Sequence, residues 1–150
     1  MISSKFFCMI KVFVSGCYDI IHGGHVEFFK QARALGDYLI VSFASDEALL
    51  KYKGRKSALP EAHKKFLLES IRYVDEVVMS SNPEDPILDF KDNFLRIRPN
   101  ILASTEDDKN VELKKAFCKK YGAKYVALPK SLTFEKISTT ELRKRICEEK

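Results

Sequence analysis

Residues 10–25 read Ile10-Lys11-Val12-Phe13-Val14-Ser15-Gly16-Cys17-Tyr18-Asp19-Ile20-Ile21-His22-Gly23-Gly24-His25, and the fold is decided here. The run 10–14 is short, β-branched and nearly continuous in apolarity, the pattern of a strand buried on both faces of a parallel sheet. A glycine-punctuated loop follows. From Gly24 the pattern turns helical through residue 35, with Val26, Phe29, Ala32 and Leu35 on one stripe and Gly36 as the expected left-handed stop. Strand, glycine loop and helix together open an α/β unit.

The rest of the chain repeats that alternation. Apolar runs at 38–43, 76–79, 101–103 and 125–128 read as four more strands. A second helix is expected over 60–73, with Pro60 in its first turn and Phe66, Leu67, Ser70, Ile71 and Val74 facing inward. A third is expected over 86–97, ended before Pro99, and a fourth over 111–121, closed by Gly122. Ser138-Thr139-Thr140-Glu141 reads as a capping box opening a last helix through Ile146. Repeated strand–helix–strand connections imply right-handed crossovers and one open, doubly wound, five-stranded parallel sheet covered by helices on both sides. No repeat, low-complexity stretch or linker divides the 150 residues, so 1–150 is read as one α/β domain, with 1–8 as a short extension before Met9. Ligands of such sheets sit at the carboxyl ends of the strands where strand order reverses.

Composition narrows the partners without choosing one. Twenty-six Lys and Arg against 21 Asp and Glu leave a net charge of +5, which favours anions. Cys8, Cys17, Cys118 and Cys147 are scattered singly, without zinc spacing, and suit free thiols in a reducing cytoplasm. No window approaches the roughly 18 uninterrupted apolar residues of a membrane span. The basic face of Lys114, Lys115, Lys119, Lys120 and Lys124 has no aromatic platform beside it, so it reads as a solvated helix face and no nucleic-acid partner is expected.

The chemistry concentrates in the first loop. Gly16, Gly23 and Gly24 let backbone turn tightly and approach a ligand, and the helix that starts there aims free N–H groups at an anion. His22 and His25, three apart, can face one pocket and donate to phosphoryl oxygens as negative charge builds. The plainer reading makes one imidazole a helix cap and the other a satisfied half-buried residue. The agreement of glycines, helix mouth and histidine spacing favours a functional site. A metal site of Asp19, His22 and His25 is the lesser alternative, since no further ligand run accompanies it.

The segment from Gly16-Cys17-Tyr18-Asp19 through His22-Gly23-Gly24-His25 resembles the signature of the cytidylyltransferase-like nucleotidyltransferases. Residues 29–41, Ser45-Asp46-Glu47, Lys53-Gly54, Ile71-Arg72-Tyr73-Val74-Asp75 and Ile137-Ser138-Thr139-Thr140 resemble further landmarks in the same order. The resemblance implies a Rossmann-like domain in which a phosphorylated acceptor attacks the α-phosphorus of a nucleoside triphosphate and pyrophosphate leaves. It implies that His22 and His25 touch the triphosphate, and that Lys53, in a loop after the second strand, reaches phosphate. Gly16, Cys17, Tyr18 and Gly24 would hold nucleotide, Cys17 and Tyr18 with backbone and ring. Ser138, Thr139 and Thr140 would meet the β- and γ-phosphates, and Asp107 would stand at the end of the fourth strand. Mg²⁺ would bridge the triphosphate without an all-protein cage, and the assembly would be a homodimer.

This chain departs from the family pattern where base and acceptor are chosen. Lys64 stands for the usual Arg, residues 132–136 replace Arg-Thr-x-Gly, and Ala103-Ser104-Thr105-Glu106-Asp107 replaces a Lys-Gly-Gly-Asp tract. Lys53-Gly54 and Arg98-Pro99-Asn100-Ile101-Leu102 resemble the heptose-phosphate branch, so AMP or CMP transfer from ATP or CTP to a heptose-1-phosphate-type sugar is the first substrate expectation. A glycerol-3-phosphate or phospho-alcohol cytidylyltransferase comes second, on residues 71–77 and 137–140, and an FAD-synthetase-like adenylyltransferase third. A nucleotide-binding module that has lost turnover is the alternative of another class.

Overall fold

The five apolar runs lie side by side as β1 (Lys11–Gly16), β2 (Tyr38–Phe43), β3 (Glu76–Met79), β4 (Ile101–Thr105) and β5 (Lys124–Leu128). They form one parallel sheet in the order β3-β2-β1-β4-β5, with Val12 opposite both Leu39 and Ile101. The computed structural model describes residues 8–130, 133 and 135–148. The expected extension, apart from the exposed Cys8, lies outside the described residues, as do Leu132 and Phe134. Six helices occur among the described residues: α1 (Gly23–Arg33), α2 (Asp46–Lys53), α3 (Glu61–Glu69), α4 (Lys91–Ile97), α5 (Val111–Tyr121) and α6 (Thr139–Glu148). None is long and apolar enough to cross a membrane.

Alternation along the central strands divides the core in two. Val12, Val14, Leu39 and Val41 face one side, where Phe29 and Ala32 of α1 and Leu68 of α3 cover them. Phe13, Ile40 and Leu102 face the other, under Phe94 of α4 and Phe117 of α5. There the rings pack edge to face, with Phe94 5.4 Å from Phe13 and 5.0 Å from Phe117. Strand order reverses between the parallel neighbours β1 and β4, so the crevice predicted from the crossover rule falls between those two strands.

Several elements differ from the sequence reading, each for a local reason. α2 was not anticipated. Ser45 caps it by accepting from the Ala48 amide at 3.2 Å, Asp46 and Glu47 complement its dipole, and Gly54 ends it with φ +67°. Lys53 is therefore the last residue of a helix, not part of a loop. The expected helix over 86–97 is only α4, because the Asp85 carboxylate accepts from the amides of Ile87 (3.0 Å) and Leu88 (2.9 Å) and holds that segment in a turn. α3 begins after Pro60, which is its cap and not its first turn, and stops at Glu69. Its inner face is also rotated from the expected one: Phe66 (70% exposed) and Leu67 (44%) point outward while Leu68 and Lys64 are fully buried. α1 ends at Ala34 in right-handed conformation and Gly36 has no positive φ. Gly36 is needed for space instead, since a Cβ there would come within 2.6 Å of the Ile10 carbonyl. Gly122 does close α5 in the left-handed region.

Candidate active site

β1 ends at Gly16, and the chain then turns through Cys17 and Tyr18, whose φ of +46° is left-handed. Two glycines of this loop make room for the protein's own rings. A Cβ on Gly16 would meet the Tyr18 ring at 2.8 Å, and one on Gly24 would meet His22 at 2.9 Å. Tyr18 is 6% exposed and packs edge to face on His25 (5.4 Å) and Phe29 (5.2 Å), so its ring buttresses the histidine from below.

The histidines cap α1 reciprocally. His22 Nδ1 accepts from the Gly24 amide at 3.1 Å, and His25 Nδ1 accepts from the His22 amide at 3.2 Å. The rings lie 3.9 Å apart, tilted by 31°. An Nδ1 that accepts a backbone proton carries none of its own, so in each neutral ring the proton sits on Nε2. Burial pushes the His25 imidazolium down to about 4, helped by His22; burial and then the Lys130 charge lower His22. Both rings are thus neutral Nε2–H donors near pH 7. The plainer sequence reading, cap plus half-buried ring, and the functional one hold together: capping fixes the tautomer that leaves a donor on each ring.

These rings line a cleft of about 640 Å³ between the carboxyl ends of β1 and β4. Gly24, Asp107, Ser138 and Thr139 border it too, with Asp107 paired to Lys130 at 2.6 Å. A smaller pocket of about 200 Å³ adjoins it and is lined by Gly16, Cys17, Lys53, Arg55 and Thr140. Tyr18, His25 and Thr139 wall both spaces. Every residue singled out from the sequence as catalytic or nucleotide-binding therefore borders one of two adjoining pockets. The tracts 71–77 and 98–102, which served as substrate pointers, line neither pocket. Asn100 bonds the backbone of Lys11 and Lys124 at the amino ends of β1 and β5, at the far edge of the sheet from the cleft.

Four groups, Asp19, Lys64, Lys130 and Arg143, lie outside the catalytic and nucleotide-binding residues named from the sequence. Asp19, considered there only as a metal ligand, is 4% exposed and ties three segments together. Its Oδ1 accepts from Ser57 Oγ (2.8 Å) and the Ala58 amide (2.5 Å), and its Oδ2 from Arg55 (2.6 Å) and Arg143 (3.1 Å). Burial alone would raise its pKa, but these bonds, Arg143 first, hold the carboxyl well below the usual range. Lys64 lies fully buried beneath the loop, donates to the Cys17 carbonyl at 2.8 Å and sits 5.5 Å over the Phe43 ring. Burial lowers its pKa against the pull of Asp19. Lys130 lines the same cleft as His22, and its charge disfavours the imidazolium there. The signal for Asp19 was its place in the loop motif, and that for Lys64 its position where the resembled family carries Arg. Arg143 gave none. Among the described residues no three His, Cys, Asp or Glu side chains converge as metal ligands, and Asp19 faces Ser57, Ala58, Arg55 and Arg143 instead of the two imidazoles.

The sequence model of the cytidylyltransferase-like family matches residues 13–145. FAD synthase of Pyrococcus horikoshii is 37% identical over 142 residues, 93% of each chain. Glycerol-3-phosphate cytidylyltransferase of Bacillus subtilis is 33% identical over 138 residues, 92% of this chain and 98% of that one. Among solved structures, the lipopolysaccharide core biosynthesis protein from Thermoplasma volcanium superposes with a TM-score of 0.70 at 26% identity, covering 83% of this chain and 99% of that one.

Proposed function

The chain belongs to the cytidylyltransferase-like family of nucleotidyltransferases, and from that premise we propose that it transfers a nucleoside monophosphate from ATP or CTP to a phosphate oxygen of a small phosphorylated acceptor. The observation that carries this reading is the pair of neutral Nε2–H donors held at one helix mouth, both lining the larger pocket and His25 the smaller one as well. In the proposed step the acceptor oxygen bonds to the α-phosphorus as the bond to the bridging oxygen breaks, and the electron pair leaves with pyrophosphate. His22 and His25 donate to the oxygens on which charge builds, without proton transfer, and the amino end of α1 adds its dipole. The triphosphate extends along the cleft toward Ser138 and Thr139. The acceptor phosphate enters the smaller pocket beside Lys53, Arg55 and Thr140. Mg²⁺ bound with the triphosphate would supply neutralisation of its charge, while the imidazoles of His22 and His25 and the hydroxyls of Ser138 and Thr139 would hold phosphate oxygens and not the cation.

FMN is the acceptor we place first, because near-full-length likeness to FAD synthase supports it. A heptose-type sugar phosphate comes second. The likeness to the lipopolysaccharide core protein favours it, while the tract 98–102 no longer does, since it lies away from the cleft. We propose likewise that the chain works as a homodimer in the cytoplasm. A matrix of four nucleoside triphosphates against FMN, heptose 1-phosphate, glycerol 3-phosphate, phosphoethanolamine and phosphocholine, read as pyrophosphate with Mg²⁺ present, tests the function. One pairing should turn over, and His22→Ala or His25→Ala should lower its kcat by roughly 10²–10⁴. Full turnover by the double alanine variant would refute the role given to the rings, and tight nucleotide binding without product would favour a silent binding module.

A further inference from the structure

We propose that Arg143 is a positioning residue whose guanidinium, seated on the buried carboxylate of Asp19, latches α6 to the first-strand loop and so fixes the 138–140 turn at the wall between the two pockets. α6 carries Thr139 and Thr140, yet none of its described residues is buried. Ile146 is 66% exposed, and the helix's other polar bonds stay within its own segment: Ser138 Oγ accepts from the Glu141 amide at 3.1 Å, and Arg145 pairs with Glu141 and Glu135. Of the hydrogen bonds and ion pairs this helix makes among the described residues, those of Arg143 alone reach the body of the domain. They land on a well-made anchor. Asp19 is held by Ser57, Ala58 and Arg55, so Arg143 meets a carboxylate whose place is already set, and it meets one oxygen with both Nε and Nη2.

Arg143 lines neither pocket, which separates it from residues that would touch substrate. Arg55 shares Asp19 but borders the smaller pocket and is 43% exposed, so it can turn to an anion there while Arg143 keeps the carboxylate neutralised. Breaking the latch should therefore leave the sheet intact and loosen only the helix that presents the threonines.

The nucleotide half of this inference rests on the proposed function; the latch itself does not, and the experiment separates them. Amide hydrogen exchange is compared for wild type, Arg143→Met, Arg143→Lys and the matched surface variant Lys144→Met, without nucleotide. Arg143→Met should speed exchange across α6 by roughly 10–100-fold with β1 and β2 unchanged, Arg143→Lys should recover part of the protection, and Lys144→Met should behave as wild type. Titrations with MgATP and MgCTP should then show affinity for the bound nucleotide weakened by on the order of tenfold in Arg143→Met and partly rescued in Arg143→Lys. Unchanged exchange in α6, or equal loss across α6 and the central strands, overturns the latch. A loosened α6 with unaltered nucleotide affinity overturns the positioning role. If the wild type binds neither nucleotide, the functional reading falls and takes the nucleotide half with it, while the exchange result still judges the latch.

Discussion

Acidification should unfasten the imidazole pair, and His25→Asn isolates the effect. The free imidazole takes its proton near 6.5, whereas His25 in the folded chain takes it at about 4. Between those values the unfolded state binds more protons, so the contribution of His25 is fully present above about pH 6.5 and is lost as pH falls toward 4. At about 1.4 kcal/mol per tenfold change in proton affinity, the whole difference is worth about 3.5 kcal/mol, and about 2.5 kcal/mol of it should be gone by about pH 4.5. The lowered His22 acts in the same sense, whereas the Asp19 cluster releases its share only at more acid pH, below the ordinary carboxylate range. An asparagine at position 25 retains an acceptor for the His22 amide but does not titrate. Urea unfolding followed by far-UV circular dichroism, which suits a chain without tryptophan, gives stability at about pH 7.5 and about pH 4.5 for both proteins. The wild type should lose about 2.5 kcal/mol more than His25→Asn over that interval. Equal losses in the two proteins would refute the claim that a buried, amide-bonded Nδ1 keeps this ring neutral.

Two further outcomes test the fold. Leu68→Ala should cost about 2–5 kcal/mol of unfolding free energy while Phe66→Ala, two residues away on α3, should stay within about 0.5 kcal/mol; similar costs would mean the helix is rotated from the face described. Gly36→Ala should destabilise by roughly 1–3 kcal/mol through contact with the Ile10 carbonyl, and a neutral result in urea unfolding would remove the crowding invoked there.

The sheet was legible because each strand is a short apolar run that no amphipathic helix imitates, and the 76–79 and 38–43 runs match their strands residue for residue. The first loop was legible because glycine, histidine and helix onset coincide within ten residues of β1. Helix faces and ends were less so. In α3 the stripe containing Phe66 and Leu67 is as apolar as the one containing Leu68, and only the fit of Lys64 beneath Cys17 selects between them. α2 is short and charged, so its signal was a cap and a glycine with no hydrophobic period to join them. The Arg143–Asp19 pair spans 124 positions, and nothing local in either neighbourhood announces the other.

The reciprocal cap of His22 and His25 is completed by the amides of one short loop and borrows nothing from β4, β5 or α6. A chain built this way can drift at residues 105–108 and 135–137 without breaking the cap that orients the rings. Under the proposed function, chemistry and choice of substrate would be separable parts, and a library confined to those two segments would be the natural place to redirect the chain to a new acceptor.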